Sequence, residues 1–191
     1  MNTREEAAWE MHTFFSGLEI PYVIIGGMAV QHWGEPRFTQ DVDMTISVPL
    51  NETEDVVRII TARFSSRIED PVAFARRARI VLIRASNGCG VDISLAIPGY
   101  EDEVMRRAVD YELEPGKVIR LCSAEDLIIH KAVAGRPRDV QDIESIVYRQ
   151  RDALDVDYIR YWLREFSLAL TNPELPEAFE VPWRKMHGAN P

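Results

Sequence analysis

Tyr22-Val-Ile-Ile-Gly-Gly-Met-Ala-Val-Gln-His-Trp-Gly34, followed by Pro36-Arg-Phe-Thr-Gln-Asp-Val-Asp43, packs several structural signals into one short run. Tyr22 to Ile25 is a β-branched apolar segment and predicts a buried strand. Gly26-Gly27 ends it, and Met28 to Trp33 predicts a short helix stopped by Gly34 and Pro36. A glycine pair between strand and helix lets backbone N–H groups approach a phosphate, helped by the positive end of the helix. The same pair equally suits a plain tight turn.

Downstream, Asp41 to Val48 alternates with period two. Asp41, Asp43 and Thr45 share one face, while Val42, Met44 and Ile46 share the other. Asp92 has the same in-out setting, between Val91 and Ile93. Two carboxylates side by side on a strand repel each other unless a cation stands between them. If the two strands lie side by side, three carboxylates converge, and such all-oxygen donor sets suit Mg²⁺ or Mn²⁺ with substrate phosphates completing the shell. By spacing alone, solvent-facing strand acids remain the alternative.

Working outward, residues 3–17 predict a helix with an Ala7, Ala8, Met11, Phe14 and Phe15 stripe. Residues 52–65 predict another. Ile80 to Ile83 and Cys89 to Leu95 predict the two arms of a hairpin turned at Asn87-Gly88. Helix follows over 101–109, and then a short strand at Val118-Ile119. Ser123 is a helix cap with Asp126 three residues on, and Gly135 is a stop. Pro137 opens the next helix, to about Arg149, with Val140, Ile143 and Val147 turned inward, and a further helix covers 155–170. From Asn172 onward four prolines and little pattern predict an extended arm or a frayed tail. The fold class is therefore α/β (α+β), a mixed sheet with helices mainly on one face and a helical C-terminal part. Residues 1–150 are expected as one domain, and residues 151–191 as a helix and tail packed on or beside it.

Lys131, Arg136 and Arg138 crowd the junction between the two helices around Gly135, with Asp139 and Asp142 on the opening turns of the second. A triphosphate could be received there; ordinary charge pairing across a helix hairpin explains the same residues. His32 has no His or Cys partner at ligand spacing, which disfavours zinc. No Walker A, GxGxxG, HExxH or GxSxG pattern occurs.

The 191 residues, 46% hydrophobic, suffice for a core without disulfide or metal staples. Cys89 and Cys122 form no CxxC pair, which favours a reducing compartment. The acidic N-terminus argues against a signal peptide, and a cytoplasmic protein without a membrane span is expected. A formal charge of −9 disfavours broad nucleic-acid binding.

The two quoted segments, with Asp92 later, resemble the start of minimal nucleotidyltransferases. Within the DNA polymerase beta-like superfamily, they are similar to the AbiEii/AbiGii toxin-like family. That family has a strand ending in paired glycines, then arginine-phenylalanine-threonine-x-aspartate-x-aspartate, then a later strand aspartate. Here these are Gly26-Gly27, Arg37-Phe38-Thr39, Asp41, Asp43 and Asp92. A lysine helix followed by a glycine-arginine-x-x-aspartate turn is matched by Lys131, Gly135-Arg136 and Asp139-Asp142. The resemblance covers about residues 20–148. It implies transfer of a nucleoside monophosphate from an NTP to an acceptor hydroxyl or phosphate, with Mg²⁺ or Mn²⁺ on Asp41, Asp43 and Asp92. Asp92 would also help activate the attacking group, and Lys131 and Arg136 would neutralise pyrophosphate. Gly26, Gly27, Arg37 and Thr39 would serve the nucleotide. The acceptor is either tRNA, in a toxin-like enzyme with an antitoxin partner, or a small molecule of the antibiotic type. A catalytically inactive binding subunit of the same fold is the remaining alternative. Met28 stands where many superfamily members have serine, which leaves phosphate binding to the backbone.

Overall fold

The computed structural model describes residues 1–188, and its chain divides into two compact units. Unit 1 comprises Met1–Met28 and Phe38–Cys122. Unit 2 comprises Ala29–Arg37 and Ser123 onward.

Unit 1 holds a seven-stranded mixed sheet, ordered β3-β4-β5-β2-β1-β7-β6. Its strands are β1 (Tyr22–Ile24), β2 (Val42–Ile46), β3 (Ser65–Ser66), β4 (Ile80–Arg84), β5 (Gly90–Leu95), β6 (Val109–Glu114) and β7 (Lys117–Leu121). β1 pairs antiparallel with β2 and parallel with β7, whereas β2 and β5 run parallel. Val42, Met44, Ile46, Val91 and Ile93 are fully buried, so the apolar half of each alternation faces a core. Helix α1 (Thr3–Gly17) starts at an Asn2 cap and closes a capping box with Glu5. It buries Ala7, Ala8, Met11 and Phe15 and packs on β1, β2 and β7. Helices α3 (Thr53–Arg63), α4 (Pro71–Ala78) and α5 (Tyr100–Arg107) complete the unit. Helix α2 (Gly26–Trp33) begins in unit 1 and runs into unit 2. The mixed sheet and helical C-terminal part are the architecture expected from the sequence.

Unit 2 is a helical bundle of α6 (Ala124–Ala134), α7 (Pro137–Gln150), α8 (Val156–Ala169) and α9 (Glu177–Met186). Ser123 caps α6 by accepting from the Asp126 N–H, and Gly135 ends it in the left-handed region at φ +60°. Ile143 and Val147 point inward, but Val140 is 54% exposed, because the inward stripe of α7 runs through Asp139, Asp142, Ile143, Ile146 and Val147. Where the prolines suggest an extended arm, α9 forms instead. Pro176 stands at its N-cap, and Pro182 lies buried inside it beside the fully buried Phe179. The last three residues of that expected arm lie outside the described residues.

Candidate active site

The parallel pairing of β2 with β5 aligns Val42 with Val91, Asp43 with Asp92 and Met44 with Ile93. Register partners on neighbouring strands present their side chains to the same face. Asp43 and Asp92 therefore stand side by side, opposite the buried valine and methionine partners. Asp41 lies one residue ahead of β2. A side chain at Gly90 would run into its Oδ1, so glycine there opens the space that the Asp41 carboxylate takes. Gly26 does the same for Asp43. It has φ +63°, and a Cβ on it would strike the Asp43 carboxylate. The Gly27 N–H points to Asp43 Oδ2 at 3.4 Å, a long contact at the first turn of α2. Gly27 is packed in turn by Thr39. The glycine pair that the sequence marks is thus the place where strand, helix and carboxylate approach closest.

The same row holds a cation that sequence reasoning missed. Arg67 Nη1 contacts Asp92 Oδ1 at 2.6 Å. It also lies 3.0 Å from where a Cβ on Gly90 would be, and so crowds the space used by Asp41. Arg67 falls between β3, only two residues long, and the Asp70 cap of α4, so nothing in the sequence singles it out.

The donors Asp41, Asp43 and Asp92 are all carboxylate oxygen, which in type suits Mg²⁺ or Mn²⁺. Arg67 is a monovalent stand-in for such a charge. Among the described residues, no group of three His, Cys, Asp or Glu side chains stands close enough to hold a metal ion.

In unit 2, the residues expected to meet phosphates form one charge network around the buried Lys131, Asp139 and Asp142. Lys131, 5% exposed, lies 2.8 Å from both Asp139 and Asp142. Arg37 grips Asp142 with two hydrogen bonds of 2.7 and 2.8 Å. Arg136 donates to Asp139 through Nε at 2.7 Å and through its backbone N–H at 3.1 Å. Burial alone would raise both carboxyls. Hydrogen bonds from Arg136 and Lys131 outweigh it at Asp139, as those from Arg37 and Lys131 do at Asp142, and hold both below the usual carboxylate range. Lys131 and Arg37 thus spend their charge inside the protein, whereas the Arg136 side chain is 71% exposed.

A cleft of about 440 Å³ in unit 1 lies over Thr39 and Gln40, next to Asp41 in the chain. Arg4, Phe38, Asn87 and Cys89 line it further. Arg4 stacks over the exposed Phe38 ring and hydrogen-bonds the Thr39 carbonyl.

A mixed sheet bearing neighbouring aspartates on its central strands, with a helical C-terminal unit, is the architecture of a nucleotidyltransferase-type domain. The chain belongs to the family described as nucleotidyltransferase of unknown function (DUF6036), whose model matches residues 6–187. That membership agrees with the superfamily which the sequence resembles.

Three solved structures share the fold. An antigenic nucleotidyltransferase-like protein from Paracoccidioides brasiliensis is 17% identical, with 92% of this chain and 91% of that one covered and a TM-score of 0.52. The antibiotic-resistance factor ANT(2'')-Ia is 16% identical over 91% and 98% of the two chains, at 0.56. The lincosamide antibiotic adenylyltransferase LnuA, lincomycin-bound, is 12% identical over 76% and 98%, at 0.53. No curated protein matches the chain. Among the described residues, no helix is long and apolar enough to cross a membrane.

Proposed function

We propose that this chain transfers a nucleoside monophosphate from an NTP to an acceptor hydroxyl and releases pyrophosphate. The observation that carries the reading is the β2–β5 register, which pairs Asp43 with Asp92 on one face of a fold shared with known nucleotidyltransferases. In the proposed step the acceptor oxygen attacks the α-phosphorus. The bond from that phosphorus to the oxygen bridging toward the β-phosphate breaks, and Asp92 takes the hydroxyl proton. Asp41 and Asp43, whose carboxylates take the space that Gly90 and Gly26 leave open, would with Asp92 hold a divalent ion that offsets the phosphate charge. Bound Mg²⁺ or Mn²⁺ would supply positive charge to the entering and leaving oxygens. The first turn of α2, with Gly26 and Gly27, offers backbone N–H groups to a phosphate, and Thr39 fixes that turn by packing on Gly27. Lys131 and Arg37 act as positioning residues, because both are committed to the carboxylates of α7. Arg136 is the member of that group with surface to offer a phosphate.

For the acceptor we favour a small hydroxyl compound. A formal charge of −9 opposes the backbone attraction on which tRNA binding draws, and the cleft over Thr39 and Gln40 has the volume of a small-ligand site. Of the structural neighbours, one is named an antibiotic-resistance factor and another a lincosamide antibiotic adenylyltransferase. A toxin-like enzyme acting on tRNA under an antitoxin, as the AbiEii/AbiGii resemblance implies, is the second reading.

The test is incubation with each labelled NTP and Mg²⁺, in the presence of a metabolite extract or total RNA, for wild type and Asp43→Asn. Label in small molecules, absent with Asp43→Asn, is expected. Label in RNA would move the acceptor to tRNA. Wild-type turnover by the Asp43→Asn protein would sink the mechanism.

A further inference from the structure

We propose that Arg67 is a resident counter-cation of the carboxylate face, which a divalent ion must displace from Asp92 before that carboxylate can serve as a ligand. The inference rests on the metal reading of Asp41, Asp43 and Asp92 given above.

The sheet register places Arg67 there. Ser66 pairs with Ile83 across β3 and β4, and the next N–H, that of Arg67, donates to the Leu82 carbonyl at 2.8 Å. Leu82 is the register partner of Asp92, and Asp92 that of Asp43. Arg67, Leu82, Asp92 and Asp43 therefore occupy one row across four strands, with side chains on a common face. The guanidinium reaches over Leu82 to the carboxylate beyond it. Its partner Asp92 is one of the three proposed ligands, and Asp41, another, lies with it around the space above Gly90.

The contact has the properties of an exchangeable one. The Arg67 and Asp92 side chains are 25% and 37% exposed. An ion pair so open to solvent is worth little stability and is screened by salt. The backbone around Arg67, by contrast, is pinned. Besides the bond to Leu82, Ser66 Oγ donates to the Ile68 carbonyl at 2.7 Å and accepts from the Ile68 N–H at 3.0 Å. The head group can therefore let go while its stem stays beside the site.

One positive charge only partly offsets three neighbouring carboxylates, whereas a divalent ion offsets more. The exchange is thus driven by the carboxylates themselves, and Arg67 sets the concentration at which it happens. Without a metal ion, it offsets part of the mutual repulsion of the carboxylates.

The experiment titrates Mn²⁺ alone, with no nucleotide, into wild type, Arg67→Gln, Arg67→Lys and Asp43→Asn, by calorimetry and by electron paramagnetic resonance of free Mn²⁺. Arg67→Gln should bind Mn²⁺ about two- to fivefold more tightly, the range set by the strength of an exposed ion pair. The gain should shrink in high salt, and Arg67→Lys should stay near wild type. Should Arg67→Gln lose its circular dichroism, Arg67→Met, which keeps an unbranched stem, carries the same test. Unchanged or weaker Mn²⁺ affinity in the uncharged variant, with wild-type binding that Asp43→Asn abolishes, overturns the role of Arg67 and leaves the metal reading standing. Absence of Mn²⁺ binding in wild type and uncharged variant alike overturns both.

Discussion

Replacing Lys131 by methionine keeps an unbranched stem of similar length and deletes one charge. In the structure that charge lies 2.8 Å from both Asp139 and Asp142, and all three groups are almost entirely buried. Breaking a buried pair by removing one partner costs about 3–5 kcal/mol, because the charge left behind has lost its solvation without compensation. Here each carboxylate keeps one arginine, Arg136 on Asp139 and Arg37 on Asp142. The lower end is therefore expected, about 3 kcal/mol. For a chain of this size that corresponds to a fall in melting temperature of roughly 6–12 °C. Thermal and urea denaturation followed by far-UV circular dichroism measure it directly. Catalysis at permissive temperature should fall much less than it would for a group touching phosphate, where loss of a preorganised donor costs about 10²–10³ in kcat. A Lys131→Met protein as stable as wild type but hundreds of times slower would refute the reasoning and return Lys131 to the leaving phosphate.

Acid should weaken the same helix pair. Because Asp139 and Asp142 titrate below their ordinary range in the folded chain, their contribution is fully present above the unfolded value, near pH 4. It is lost as pH falls from there through the folded values. Urea midpoints measured from pH 6 down to pH 3 should drop below pH 4, and Asp139→Asn should flatten part of that slope. Gly26→Ala should damage the carboxylate face without touching a ligand. The new Cβ strikes Asp43 and is held at φ +63°, a conformation that costs an L-residue about 1–2 kcal/mol. A lower melting temperature together with transfer as poor as that of Asp43→Asn is expected, and normal transfer would show that Asp43 has room to move.

The parts of the fold that were legible in the sequence are those where local pattern and burial agree. The β2 and β5 alternations were read with their polar and apolar faces the right way round, as were the Ser123 cap and the Gly135 stop. What periodicity could not give was partnership. Asp43 and Asp92 are 49 positions apart, and only the crossover that sets β5 beside β2 makes them neighbours. Short and edge elements escaped for the opposite reason. β3 has two residues, and β6 is an acidic strand, Val-Asp-Tyr-Glu-Leu-Glu, at the rim of the sheet with no residue fully covered. α9 hid behind Pro182, which usually breaks a helix but here contributes buried apolar surface. The charges on α6 and α7 were visible, but their inward turn was not. Lys131 looks like any lysine in a last helical turn until two carboxylates are found beneath it.

Sheet position also separates the carboxylates from their cation in time. β5 and β2 are the third and fourth of seven strands, bonded on both sides, while β3 is a two-residue fringe at one margin. Amides on inner strands exchange with solvent only in rare, near-global openings, whereas a partly exposed side chain at the margin changes rotamer on its own and often. Asp43 and Asp92 therefore keep their spacing through every minor excursion of the native state, while the partly exposed Arg67 head group can turn over on a backbone held at Leu82 and Ser66. The chain carries a slow scaffold and a fast ion side by side, so the charge balance of the aspartate face can be renewed many times within the lifetime of the fold that supports it.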